Sequence, residues 1–392
     1  MSKKIAKAKQ AYLEHMKGSA AAFAPGRIEF LGNHLDYNGG LVLGAAIDAG
    51  IYALANPRED KVIRLFSESF EKAVVETGLN GFSKQEGEKS WANYCLGVLE
   101  VMQSKGLAPD SGFSLVLVSD LPVSAGLSSS AALELATALA LAGLARKEIS
   151  RKELVGICRK AENEFVGMPC GILDQASSAF GKKDHLVLID CETESASSLP
   201  MPAESRLWVI DSGIKHDLVD SHYATRNQEC QDALRLVREN NPGLTCLAHA
   251  DELMISKANL PDHVRKRALH VVREQERVCA FQNGLAEKSS LRELGTLLTD
   301  SHRSSRELFE NSCPELDALV ESLVENKKVL GARLTGGGFG GAVLAWTTTE
   351  FQQEDADGIA SSYESRFGQV PRTHCFAPSK GATIEDWRKT QG

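Results

Sequence analysis

Residues Leu121 to Leu135, LPVSAGLSSSAALEL, limit the possible folds more than any other stretch of the chain. A proline, the Ala125-Gly126 pair and three consecutive serines lead into Ala131–Leu144, a run of helix formers that is apolar around most of its circumference except at Glu134. Such a helix has to be buried, and an interior position suits a loop held rigidly. Its N-terminus collects unpaired backbone N–H groups and hydroxyls, which suits an anion. One serine is enough for a helix cap, and three after a glycine exceed that need. The phosphates of a nucleotide are the first expectation. No GxxxxGK[ST] exists in the chain and no GxGxxG joins a strand to a helix in the dinucleotide-binding manner, which excludes a P-loop and the dinucleotide-binding turn. A phosphate loop without a lysine must take positive charge from a magnesium ion and from the helix dipole.

Three other stretches carry chemistry. Between apolar pieces at Ile28–Leu31, Leu41–Leu43 and Ile47–Leu54, which read as strands, a turn from Gly32 to Gly40 places Asn33, His34, Asp36, Tyr37 and Asn38 close together. That turn is either a solvated hairpin tip or a site for a polar ligand. LTGGGFGG, Leu334–Gly341, has five glycines among eight residues between two strands of Gly331–Trp346. Glycine weakens regular structure, so the cluster points to a backbone that approaches a ligand or another surface closely, or else to a flexible hairpin. In ENEFVGMPCGILDQ, Glu162–Gln175, Asp174 sits near a predicted helix start; an aspartate there is commonly structural, and its role depends on its neighbours.

The remaining pattern gives strands at Val62–Phe66, Ala73–Val75, Phe113–Val118, His185–Cys191 and Leu207–Asp211. Helices are predicted at Trp91–Lys105, Lys152–Val166, Gly171–Phe180 and Cys313–Glu325, with long helical segments between Ser221 and Leu298. A further amphipathic helix is expected from Ile5, Tyr12, Leu13 and Met16. The stretch Glu192–Ser205, rich in Ser, Pro and Glu, reads as a linker, so the 392 residues divide into domains at 1–204 and 205–392. His15, His249, His263, His270 and His302 lack ligand spacing and read as surface or capping residues. The run Arg265–Arg277 reads as a solvated helix face, and His216 has no assigned role.

A net charge of −8 removes the electrostatic drive for nonspecific nucleic-acid binding. Nine cysteines without a CxxC fit reduced thiols rather than a disulfide framework or zinc site. No signal-peptide core or membrane-length apolar run is present, so the expectation is a cytoplasmic protein acting on small molecules, with no nucleic-acid or membrane partner.

APGRIEFLGNHLDYNGG, LPVSAGLSSSAALE and LTGGGFGG, in this order, resemble the three motifs of the GHMP kinases. The resemblance is strongest to the galactokinase branch. WANYCLG at Trp91, GMPCGILDQ at Gly167, LIDC at Leu188, DSGIKHDL at Asp211, SHYATR at Ser221 and APSKGA at Ala377 also fall in register with it. It implies an α+β, two-domain fold: an N-terminal domain like ribosomal protein S5 and a ferredoxin-like C-terminal domain, with the site between them. It implies ATP-dependent phosphorylation of the anomeric C1 hydroxyl of D-galactose by a monomer. Asp174 would accept the hydroxyl proton, and Arg27 would pair with it and stabilise developing charge. Asn33, His34, Asp36, Gly171 and Tyr223 match sugar-contacting positions. Trp91, Gly126, Leu127, Ser128, Ser129, Ser130, Gly337 and Gly338 match ATP-binding ones, and Ser130 with Glu162 would hold Mg2+.

One position departs from the pattern. Galactokinases read Gly-Glu-His-Thr-Asp-Tyr where this chain has Gly32-Asn33-His34-Leu35-Asp36-Tyr37, and in that family the Glu accepts from the C6 hydroxyl. An uncharged amide there removes a repulsion against an anionic sugar, which brings galacturonate into consideration alongside N-acetylgalactosamine. A non-catalytic sugar and ATP sensor is a further alternative. Such relatives carry lesions in the serine loop, which is intact here.

Overall fold

The computed structural model describes residues 20–70, 73–122, 126–215 and 219–385. The predicted helix at Ile5–Met16, His15 and His216 lie outside them. The first half builds an eight-stranded sheet from β1 (Ala20–Leu31), β2 (Leu41–Pro57), β3 (Val62–Ser67), β4 (Val75–Gly78), β5 (Phe113–Ser119), β6 (His185–Asp190) and β7 (Ser195–Pro200), completed by β12 (Thr383–Glu385) from the far end of the chain. The backbone order is β12-β1-β2-β5-β3-β4, with β6 pairing to β2 and β7 to β6. The pieces expected at Leu41–Leu43 and Ile47–Leu54 form one continuous strand, β2, because Gly44 to Ala46 are small enough to pack flat under a helix. Glu192–Ser205 is not a linker. Ser195–Pro200 pairs along His185–Asp190 as an exposed edge strand, whose sequence has no apolar face to announce it.

Helices α1 (Ala92–Ser104), α2 (Ser129–Ala145), α3 (Arg151–Lys160) and α4 (Leu173–Phe180) cover one face of this sheet. The alanine-rich helix α2 packs on β1 and β2, and Glu134 in its middle is fully buried.

The second half follows with α5 (Val219–Arg238), α6 (Glu252–Lys257), α7 (Asp262–Glu287), α8 (Leu291–Ser304), α9 (Pro314–Glu325) and α10 (Gln353–Phe367). Its antiparallel sheet runs β11-β8-β10-β9, made of β8 (Ser205–Lys215), β9 (Val329–Thr335), β10 (Gly340–Thr348) and β11 (Arg372–Phe376). Helices α9 and α10 bury Leu316, Leu319, Phe351 and Tyr363 against one face of it. The other face meets the first half: Phe30 of β1 lies 5.0 Å from the Phe281 ring of α7 and 5.7 Å from Trp346 of β10, ring centre to ring centre. The halves therefore share an apolar core beneath the cleft in which the site lies.

Two readings of the histidine-rich helices are corrected. His270 and His302 are buried rather than on the surface. In Arg265–Arg277 one face of the helix turns inward, with Arg267, His270 and Glu274 buried and hydrogen bonded. Charges in that run bond to one another and to the polar turn, which composition alone could not reveal. Among the described residues no helix is long and apolar enough to cross a membrane.

Candidate active site

Strand periodicity puts Arg27 and Glu29 on one face of β1. Arg27 reaches Asp174 in the first turn of α4, with Nε 2.7 Å and Nη2 2.6 Å from Oδ1. Its Nη1 donates to the Gly126 carbonyl at 2.8 Å and its backbone N to the Leu127 carbonyl at 3.1 Å. Ser128, held at a φ of 51°, donates its hydroxyl to the other Asp174 oxygen. Arg27 and Asp174 therefore tie the serine loop to both β1 and α4, and one carboxylate faces the reacting end of the site with its position fixed on two sides.

Arg27, Asp174, Glu29, His34, Asp36, Gly171 and Tyr223 line one cavity of about 400 Å3. Burial, then the charges of Glu29 and Asp174, push the Asp36 carboxyl up to about 7. Gly171 is required for a steric reason: a side-chain carbon there would collide with the Asp36 carboxylate. His34 has a φ of 61° and stacks on Phe309, with ring centres 4.2 Å apart. Its Nδ1 is 2.9 Å from the Tyr37 hydroxyl, and its Nε2 is 3.0 Å from Asn311 Nδ2. Burial and the neighbouring His270 hold its pKa well below the ordinary value. His34 is thus a neutral wall whose polar atoms already have protein partners.

Asn33 is likewise occupied. Its Nδ2 donates to Glu29 Oε1 at 2.9 Å and to the Gly336 carbonyl at 3.0 Å, and its Oδ1 accepts from Asn311 at 3.1 Å and Ser305 at 3.2 Å. The carboxylate missing at position 33 is replaced on the same wall by that of Glu29, so the repulsion against an anionic sugar that the sequence expects to be lost is retained.

A second, more apolar cavity of about 240 Å3 lies on the other side of the serine loop, lined by Trp91, Tyr94, Leu117, Pro122, Ser129, Ser130 and Leu133. Its shape and lining suit a flat heterocycle, with the N-terminus of α2 between it and Asp174. Of the positions matched to ATP binding, Trp91, Ser129 and Ser130 line this cavity, whereas Gly126, Leu127 and Ser128 bond to Arg27 and Asp174. Gly337 and Gly338 do not line it. Gly337 borders the first cavity, and Gly338, at a φ of 82°, packs on Asn311 so tightly that any side chain would strike that residue's carbonyl.

Glu162 and Ser130 come together as the sequence expects. The Ser130 hydroxyl bonds Glu162, whose pKa is raised by burial first and Asp174 second. Gln175 Nε2 donates to Glu162 at 2.6 Å and to Glu134 at 3.1 Å, while Glu134 Oε1 and Gln175 Oε1 are buried without partners. Oxygen donors of this kind, short of positive charge, suit a hard divalent cation.

Sequence reasoning missed Glu29, Glu274, Asn311 and Arg333. Glu274 accepts from the backbone N of both Gly32 and Asn33 at 3.0 Å and so holds the polar turn from the opposite half. Burial favours its neutral form, yet Arg277, His270 and Arg333 bring its pKa down to about 2. A signal was available for Glu29, the one acid in a strand whose only other charge is Arg27. None was available for Asn311, whose role depends on long-range packing.

Residues 93–182 match the GHMP kinases N terminal domain, residues 283–367 the GHMP kinases C terminal domain, and residues 10–57 the galactokinase galactose-binding signature. The galactokinase of Bacillus subtilis is 35% identical over 356 residues, covering 88% of this chain and 89% of that protein. That of Glaesserella parasuis is 37% identical over 370 residues, covering 92% and 94%. The chain belongs to the galactokinase family. The crystal structure of Lactococcus lactis galactokinase complexed with galactose superposes with a TM-score of 0.91 at 31% identity, covering 97% of this chain and all of that one. A mevalonate kinase, at 18% identity and a TM-score of 0.65, shares the fold. The α+β GHMP kinase fold read from the motifs is therefore that of this galactokinase-family chain, which is a phosphotransferase.

Proposed function

We propose that the protein transfers the γ-phosphoryl group of ATP to the C1 hydroxyl of D-galactose, giving galactose 1-phosphate and ADP. The observation that carries this reading is the Arg27–Asp174 pair, fixed between a polar cavity of hexose size and an apolar one that fits adenine. The sugar lies in the first cavity against Asp36, Gly171 and Tyr223. Asp174 accepts the C1 hydroxyl proton as that oxygen bonds to the γ-phosphorus, and the bond from phosphorus to the β–γ bridging oxygen breaks to release ADP. Because the transition state is loose, alignment and charge stabilisation supply most of the rate. Arg27 holds Asp174 in line and faces the negative charge shared by the base and the transferred group. Ser129, Ser130 and the N-terminus of α2 receive the phosphates.

Glu162 and Ser130 fit Mg2+, with Glu134 and Gln175 behind them. Mg2+ bound with the nucleotide supplies charge neutralisation on the β- and γ-phosphate oxygens. The domain division is placed at 204/205, with the final strand β12 returning to the first sheet. The acidic net charge and free thiols support a cytoplasmic location, and the resemblance to galactokinases supports a monomer whose ligands are a sugar and MgATP.

Glu29, Asp36 and Asp174 around one cavity disfavour an anionic hexose, so galactose is preferred to galacturonate. ADP release with MgATP and a panel of galactose, galacturonate and N-acetylgalactosamine tests the reading. Galactose is expected to give the highest kcat/KM, and release no faster than the sugar-free blank would sink it. Asp174→Asn is expected to keep sugar binding, measured by calorimetry, and to lose at least a hundredfold in kcat. Turnover near the wild-type rate would remove Asp174 from its role.

A further inference from the structure

Glu29 is the one carboxylate on the wall of the sugar cavity for which neither the motif reading nor the reaction above has a use. It is 3% exposed and lies two residues beyond Arg27 on the same face of β1, about 7 Å further from the reacting end at the rise of a β-strand. Both of its hydrogen bonds with other side chains fall on one oxygen: Oε1 accepts from Asn33 Nδ2 at 2.9 Å and from Arg333 Nη2 at 3.2 Å. Oε2 accepts none among the described residues. Oε2 is not sealed inside the protein: Glu29 lines the cavity, so this oxygen is open to a donor from water or from a ligand hydroxyl. Asn33 cannot be that ligand's partner, since both ends of its amide are already bonded to protein.

We propose that Glu29 is a sugar-contacting specificity residue: its Oε2 accepts a hydrogen bond from a hydroxyl on the edge of the hexose away from C1, while Asn33 positions it and does not touch the sugar. This rests on the galactose kinase reading and deepens it. The 4- and 6-hydroxyls lie on that edge. Anchoring by Asn33 and Arg333 fixes the carboxylate before the sugar arrives, so little ordering is left to be done on binding. The same oxygen repels a carboxylate at that edge, and it does so beside Asp36, whose pKa is raised in part by Glu29.

The test is steady-state kinetics of the full chain with MgATP on galactose, 4-deoxygalactose, 6-deoxygalactose and galacturonate. Glu29→Gln is expected to raise KM for galactose at least tenfold with kcat within threefold of wild type. For one of the two deoxy sugars, the one lacking the contacted hydroxyl, the substitution should add no further loss. The preference for galactose over galacturonate should also narrow. Glu29→Asp keeps the charge but withdraws the oxygen, and serves as the second variant should the first not fold. It is expected to raise KM for galactose at least fivefold. A KM within twofold of wild type in a folded variant, or an equal loss on galactose and both deoxy sugars, overturns the assignment. A wild-type protein inactive on galactose overturns the parent reading and this one with it.

Discussion

The Asp36 carboxyl is a sugar-facing group whose shifted titration function can report. Burial raises its pKa from the usual 3.8 to about 7, with Glu29 and Asp174 adding to the shift and Tyr223 facing it across the cavity. A charged acceptor binds a sugar hydroxyl more tightly than a neutral one. The kcat/KM for galactose is therefore expected to fall as pH drops below about 7, by about tenfold per unit. Stability runs the other way. An acid whose folded pKa lies above its unfolded value destabilises the native state increasingly from pH 3.8 up to about 7, after which the penalty is constant. Asp36→Asn should thus flatten the acidic limb and raise the melting temperature at pH 8, while weakening sugar binding. A variant that melts lower at pH 8 and keeps the limb would show that another group titrates there.

Single elements explain how these residues reach the site. Helix α3 continues into a π-helical turn, residues 161–166, and α8 into another, residues 305–309. A π turn shifts the helical register and is often found at functional sites. Here the first carries Glu162 towards Ser130, and the second brings Ser305 to Asn33 and Phe309 onto His34. Glu162→Gln is expected to raise the Mg2+ concentration for half-maximal rate at least tenfold and to move the galactose KM much less. Equal changes in both would show that Glu162 shapes the sugar cavity instead. Elements with a strong apolar signal were legible in the sequence: α2 from a run apolar on nearly every side, and β5 and the strands flanking the glycine loop from their apolar pattern. β7 was not, because SASSLP sits on an exposed edge and buries no face. The π turns were not legible either, since their residues read as ordinary helix.

At the scale of the whole molecule, β1 is where the two halves meet, and Arg333 is its principal tie. This fully buried guanidinium on β9 donates to the Glu29 carbonyl at 3.3 Å, the Phe30 carbonyl at 3.5 Å and the Glu29 carboxylate at 3.2 Å, and Thr335 donates to the Glu29 carbonyl at 3.0 Å. Neither partner could be paired from sequence, since 304 positions separate them and Glu29 has a nearer cation, Arg27, in its own strand. The candidate site was legible where short motifs carry it, at Asp174, Arg27 and the serine loop. It was hidden where the opposite half of the chain completes it, at Glu274, Asn311 and Arg333. Removing one member of a buried ion pair leaves the other uncompensated, which costs about 3–5 kcal/mol. Arg333→Met is expected to destabilise the protein by that order in urea unfolding. Glu29→Gln should cost less, because Arg333 keeps its two carbonyl acceptors. In the double variant the losses should fall short of their sum by about 1–2 kcal/mol, since the second substitution removes the charge that the first left stranded. Strict additivity would mean that Arg333 contributes to the joint through its carbonyl bonds alone and that the Glu29 carboxylate is held for the sugar by Asn33.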